Sequence, residues 1–167
     1  MTPAARVQTS IELLDSIIEA ARSKGAPADR ILAEWFRNNR FAGSKDRRAI
    51  RELVFAAIRA CGPMPVSGRS AMLRLGEVDE NIPALFDGSN YGPAVVRDGE
   101  SAAAGGVAPE WLEQRLAASD VTGQETEALL ERAPFDLRVN TLKADGATLE
   151  LPEPASTTAA PNGLRVE

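Results

Sequence analysis

The chain has 167 residues and not one of them is histidine. That removes Ser-His and Cys-His nucleophile pairs, the commonest general base and the commonest metal ligand. Cys61 is the only cysteine, so an internal disulfide and a thiolate metal cage are both excluded. Neither standard glycine-rich phosphate loop occurs, and Gly105-Gly106 sits in an alanine-rich stretch without the pattern. Aromatic residues make up only 5% of the chain. This composition suits a helical domain better than a β-sandwich, which needs more valine, threonine and aromatics. No apolar run approaches the roughly 20 residues that span a bilayer. Arg6, Glu12 and Asp15 interrupt what would be the apolar core of a signal peptide. The expectation is a cytoplasmic protein without membrane contact, carrying no catalytic, cofactor-binding or metal-binding residue of its own.

What the chain does have is a concentration of positive charge. Residues 37–59 hold seven basic side chains (Arg37, Arg40, Lys45, Arg47, Arg48, Arg51, Arg59) against Asp46 and Glu52. The local balance is +5 in a chain whose net charge is −5. A positive patch on an acidic background is the electrostatic footprint of a polyanion-binding surface. The competing reading is a solvated helix face whose arginines pair within the chain, as Arg48 and Glu52 could across one helical turn. Residues 76–136 are the opposite, with thirteen acids and three bases. They would repel nucleic acid and should lie away from the basic face.

The apolar spacing predicts a series of amphipathic helices. The first starts at Thr2-Pro3, a hydroxyl cap followed by proline. It carries Val7, Ile11, Leu14, Ile17, Ile18 and Ala21, and Gly25 is read as its left-handed cap. Pro27 opens a second, with Ile31, Leu32, Trp35 and Phe36 inward, and Asn38-Asn39 ends it. Ser44 is the expected N-cap of a third, with Asp46 in its first turn. Its inward face is read as Ala49, Ile50, Leu53, Val54, Ala57, Ile58 and Cys61, and Arg48, Arg51, Glu52, Phe55 and Arg59 fall on another face. A short helix follows over residues 67–75. Residues 87–109 are turn-rich. Two more helices are expected over 109–119 and 122–133, the latter with a Thr122/Glu125 capping box. Phe41 and Phe55 are expected to be buried at a helix junction, Trp35 and Trp111 to anchor helices, and Cys61 to be structural. Residues 136–143 fit a strand, and residues 164–167 the start of another. The fold class expected is all-α, with a helical domain over 1–134 and an incomplete, strand-containing α+β linker over 135–167.

The string FAGSKDRRAIRELVF at residues 41–55 resembles the second half of the NusB-like helical domain. That domain occurs alone in the NusB antitermination factor. It is also found at the N-terminus of Sun-type (RsmB-like) ribosomal RNA cytosine-5 methyltransferases. Two further strings resemble the methyltransferase form: GPMPVSGRSAML at 62–73, and LRVNTLK at 137–143, where the helical domain joins the catalytic part. PNGLRV at 161–166 resembles the next piece of that linker. The resemblance implies a NusB-like bundle of six or seven helices that recognises ribosomal RNA. It implies S-adenosylmethionine as cofactor of the whole enzyme, not of these residues. Neither the cofactor motif nor the Pro-Cys nucleophile motif is present, and Cys61 matches neither.

The expected RNA-binding residues are therefore Arg37, Arg40, Lys45, Arg47, Arg48 and Arg51, with Arg138, Asn140 and Lys143 of the strand as a second group. Arginine suits the role through bidentate phosphate contact and stacking on bases. The expected partners are ribosomal RNA and the enzyme's own catalytic domain, in a reading frame continuing for roughly 230 to 280 residues. The alternatives are a free-standing antitermination factor and a helical docking module whose basic face meets protein.

Overall fold

The structure is a computed structural model that describes residues 1–131, 133–146 and 148–166. It divides into two compact units, Met1–Ala128 and Leu129–Glu167. The first is helical: α1 (Pro3–Arg22), α2 (Ala28–Asn38), α3 (Ser44–Ala60), α4 (Gly68–Gly76), a 3₁₀ turn (Pro83–Leu85), α5 (Glu110–Ala117) and α6 (Gln124–Ala128). The second holds a small antiparallel sheet of β1 (Phe135–Arg138), β2 (Ala155–Thr157) and β3 (Gly163–Val166), in the order β1-β3-β2. The fold is thus mostly helical with a three-stranded sheet.

Helix α1 forms where the sequence analysis places it. Thr2 Oγ1 accepts from the Ala5 amide at 3.2 Å, and Pro3 occupies the first turn, where a missing N–H costs nothing. Its buried stripe is Val7, Ile11, Leu14 and Ile18, with Leu13 also enclosed. The left-handed residue beyond the helix is Lys24, not Gly25. The Gly25 amide closes the turn on the Ala20 carbonyl at 2.7 Å.

Around α1 are grouped α2, α3 and α4. Leu32 and Phe36 come from α2, Ile50, Val54 and Ala57 from α3, and Ala71, Met72 and Leu75 from α4. Leu14, Leu32, Ile50 and Met72 are fully buried, each worth about 1.5–3 kcal/mol relative to exposure. Helix α4 approaches α1 closely because its first residue is glycine: a Cβ on Gly68 would collide with the Ile11 carbonyl. The same contact is pinned by Asp15, whose Oδ1 accepts from the Gly68 amide at 2.6 Å. A carboxylate at a helix N-terminus is favoured by both the free amide and the helix dipole.

Residues 94–103 are held to α4 by Arg69 and by the Ala103 amide, which donates to the Ser70 carbonyl at 2.9 Å. Arg69 donates to Glu100 at 2.8 Å and to the Ala94 and Val95 carbonyls, and lies 5.0 Å from the Phe86 ring. Arg74 donates to the Ala60 carbonyl and pairs with Glu77. Near them the Gly62 amide reaches the Ala104 carbonyl, and Cys61 bridges Gly105.

Several expectations are corrected. The N-cap of α3 is Gly43; Ser44 is its first helical residue, and the Asp46 carboxylate accepts from the Gly43 amide instead. Phe55 is half-buried against the core, whereas Ile58 is exposed, so the inward face is rotated from the one expected. Trp111 is 61% exposed and Phe41 70%, so neither is buried. Of the helix expected over 122–133, α6 covers Gln124–Ala128; the positive φ of Gly123 (+58°) bars a start at Thr122, and residue 132 lies outside the described residues. The strand expected over 136–143 is Phe135–Arg138. It stops because Asn140 Oδ1 accepts from the Leu142 amide and the Asn140 carbonyl accepts from Lys143, which forms a turn. The strand β2 was not expected at all.

In the sheet, Phe135 pairs with Val166 and Leu137 with Leu164, which places these four on one face. Asp136 and Arg165 pair on the other and form a two-pronged ion pair at 2.8 and 2.9 Å.

Candidate nucleic-acid interface

Arg37 stands in the last turn of α2, Arg40 in the turn that follows, and Lys45, Arg47, Arg48 and Arg51 in the first two turns of α3. The helix–turn–helix path brings these six into one region of the first unit. Their environments differ.

Arg47 and Arg51, one turn apart, both reach the α2 ring Phe36, with guanidinium carbons 5.9 and 5.7 Å from its centroid. Arg47 is half-buried, and its Nε donates to the Ala42 carbonyl at 2.7 Å. It braces the turn before its own helix, a role the sequence analysis missed. Arg51 stacks on the same ring but remains exposed. Arg48 donates to Glu52 at 3.1 Å, with both side chains largely in solvent. A pair so exposed is worth a few tenths of a kcal/mol and yields readily to a competing anion. Among the described residues, Arg37, Arg40, Lys45, Arg47, Arg51 and Arg59 form no ion pair.

Asp46, one of two acids in the basic stretch, is already engaged. Its Oδ1 accepts from Arg6 Nε at 2.8 Å, and the Met1 ammonium lies 3.3 Å away. The Arg6 hydrogen bond holds its carboxyl below the usual aspartate value, against a smaller opposing effect of burial. Its charge is spent on α1 and its own helix start, so it does not neutralise the arginines beside it.

Arg138, Asn140 and Lys143 lie in the second unit. Arg138 is exposed at the end of β1 opposite Gly163. Asn140 and Lys143 belong to the turn after β1, not to the strand as expected.

The aromatic residues near the arginines form a series. Trp35 meets Phe36 edge-on, with ring centroids 5.5 Å apart, and Phe41 meets Trp35 likewise at 6.1 Å. Phe41 nonetheless keeps most of its surface in water. Its place after the α2-breaking Asn38-Asn39, beside Gly43, is the signal in the sequence that could have foretold this.

The three described strands do not form a doubly wound nucleotide cradle. A nucleotide cradle of the doubly wound type needs a parallel strand leading through a glycine-rich turn into a helix N-terminus, and these strands are antiparallel. No cluster of metal-ligating side chains is present among the described residues. Burial pushes the Cys61 thiol up, and the charge of Arg74 only partly opposes it. This is the opposite of an activated nucleophile. Among the described residues no helix is long and apolar enough to cross a membrane.

No protein-family model, no curated protein and no solved structure matches the chain.

Proposed function

We propose that this chain is the RNA-recognition portion of a ribosomal RNA cytosine-5 methyltransferase of the Sun type, its helical unit being NusB-like. The observation that carries the reading is the cluster of cations at the α2–α3 turn and the start of α3, of which only Arg48 forms an ion pair among the described residues, and that one exposed. Arg47 braces its turn, but among the described residues the Arg37, Arg40 and Lys45 side chains make no hydrogen bond or ion pair that the fold would need. Three acids are engaged away from the patch, Asp46 on Arg6, Glu100 on Arg69 and Asp136 on Arg165, and the Arg48–Glu52 pair within it is exposed. The strings at 41–55, 62–73 and 137–143 support the family assignment. In this reading the cofactor and the nucleophile belong to a catalytic domain outside these 167 residues, and the basic face holds backbone phosphates to orient the RNA.

Ultraviolet crosslinking of a labelled ribosomal RNA hairpin, followed by peptide mapping, tests this. Crosslinks are expected in α2, the following turn and the first half of α3. Crosslinks confined to the acidic residues 76–131, or none above an unrelated acidic protein, refute it.

A further inference from the structure

Along one flank of α1 runs an open groove of about 1200 Å³, walled on the other side by residues 90–100 and reached by Phe41. Two large rings line it, and both are mostly bare: Phe41 at 70% exposure and Tyr91, the chain's single tyrosine, at 74%. Bare rings on a protein surface are usually there to be covered, since each buries 150–250 Å² when it is.

The charges decide what covers them. Three carboxylates, Glu12, Asp15 and Glu100, line the groove together with two guanidiniums, Arg69 and Arg97, and the N-terminal Met1. Glu100 is matched by Arg69, and Asp15 holds the α4 amide of Gly68. Among the described residues the Glu12 carboxylate has only the side-chain amide of Gln8 as partner, at 2.9 Å. Acids and bases balance along this floor, so it holds no net positive field for a phosphate. A flat, uncharged ring bearing N–H groups needs none, because it meets aromatic faces and free acceptors together. The cations of the basic turn stand just outside: Arg40 precedes Phe41, and Phe41 connects through Trp35 and Phe36 to Arg47 and Arg51. An RNA strand with its phosphates on the basic turn would have its bases beside the groove.

We infer that this groove takes an unpaired nucleobase, stacked on Phe41 and Tyr91, so that the bound RNA is unpaired at this point. The inference rests on the proposed RNA-binding role and adds a subsite to it. Base–aromatic stacking is sequence-tolerant and does not require a base-specific contact. A duplex cannot use the groove, because its bases are already stacked and paired.

The test uses the full chain and fluorescein-labelled RNA of about 12 nucleotides, single-stranded and as the duplex, at low salt. Single-stranded RNA is expected to bind at least about fivefold tighter than the duplex. Phe41→Ala and Tyr91→Ala should each weaken it by about fivefold or more, and Phe41→Trp should retain binding. Both rings are exposed, so the variants should fold, and circular dichroism checks this. Equal affinity of the alanine variants, or duplex binding as tight as single-stranded, overturns the inference. If, with those results, Arg40→Glu/Arg48→Glu/Arg51→Glu still abolishes binding, the proposed function stands without the groove. No RNA binding by the wild type overturns both.

Discussion

Two glycines at opposite ends of α4 should respond to alanine with opposite signs. In a helix, glycine to alanine ordinarily stabilises by about 0.5–1 kcal/mol through helix propensity and a less disordered unfolded chain. At Gly76, the last residue of α4, an added Cβ would meet only Ile82 and Pro83 at 3.5–3.6 Å, which is ordinary contact. Gly76→Ala should therefore be neutral or gain up to about 0.5–1 kcal/mol. At Gly68 the added Cβ would collide with the Ile11 carbonyl and lie 2.9 Å from the Asp15 nitrogen and the Leu14 Cβ. Two of these are helix backbone and cannot rotate away, so α4 must move off α1. That costs about 1–3 kcal/mol of overpacking and weakens the Asp15–Gly68 hydrogen bond, worth about 1.5–3 kcal/mol to a charged acceptor. Set against the propensity gain, Gly68→Ala should destabilise by about 2 kcal/mol or more. For a unit of this size that lowers the melting temperature by roughly 6–10 °C. Urea and thermal unfolding followed by far-ultraviolet circular dichroism measure both variants. If Gly68→Ala is as stable as Gly76→Ala, the close α1–α4 approach is wrong.

Arg47 and Arg51 should separate under mutation: Arg47→Ala loses the hydrogen bond to Ala42 and about 1–2 kcal/mol of stability by urea denaturation, whereas Arg51→Ala stays within about 0.5 kcal/mol and loses RNA affinity instead. Cys61, buried with its thiol raised, should react with a disulfide reagent at least about tenfold more slowly in the native protein than in urea. The carboxyls of Asp46, Glu100 and Asp136 are held below their usual values by hydrogen bonds from Arg6, Arg69 and Arg165. A depressed folded-state pKa stabilises above the ordinary carboxylate range and is lost as pH falls through the folded value. Unfolding midpoints should therefore fall as pH drops below about 4.5, and Asp46→Asn should flatten that acid limb.

The helical half of the fold is legible in the sequence because apolar residues at three- and four-residue spacing have one easy solution: α1 to α4 around a shared core. The ends are less so. Ser44 has the right chemistry for a cap, but Asp46 two residues on supplies the hydrogen bond, and spacing alone does not choose between them. Lys24 rather than Gly25 takes the left-handed position, so propensity for that region did not decide. Thr122 and Glu125 have capping-box spacing, yet the positive φ of Gly123 between them prevents it. The valine and leucine after Arg138 suggest a continuing strand, but Asn140 offers its own side chain to the backbone and turns it. As for the site, the basic residues were legible as charge. That Arg47 is a brace, and that Phe41 and Tyr91 are bare, depends on how turns place side chains, which periodicity does not encode.

The most direct measurement is RNA affinity as a function of salt for the wild type and for Arg40→Glu/Arg48→Glu/Arg51→Glu, a variant that spares the bracing Arg47. With three to five phosphate contacts, the wild type should bind single-stranded ribosomal RNA at about 10⁻⁴ to 10⁻⁶ M, with a slope of log affinity on log salt of about −2 to −3.5. The variant should lose most of both while unfolding like the wild type. Equal, salt-insensitive affinities for the two proteins would contradict the account.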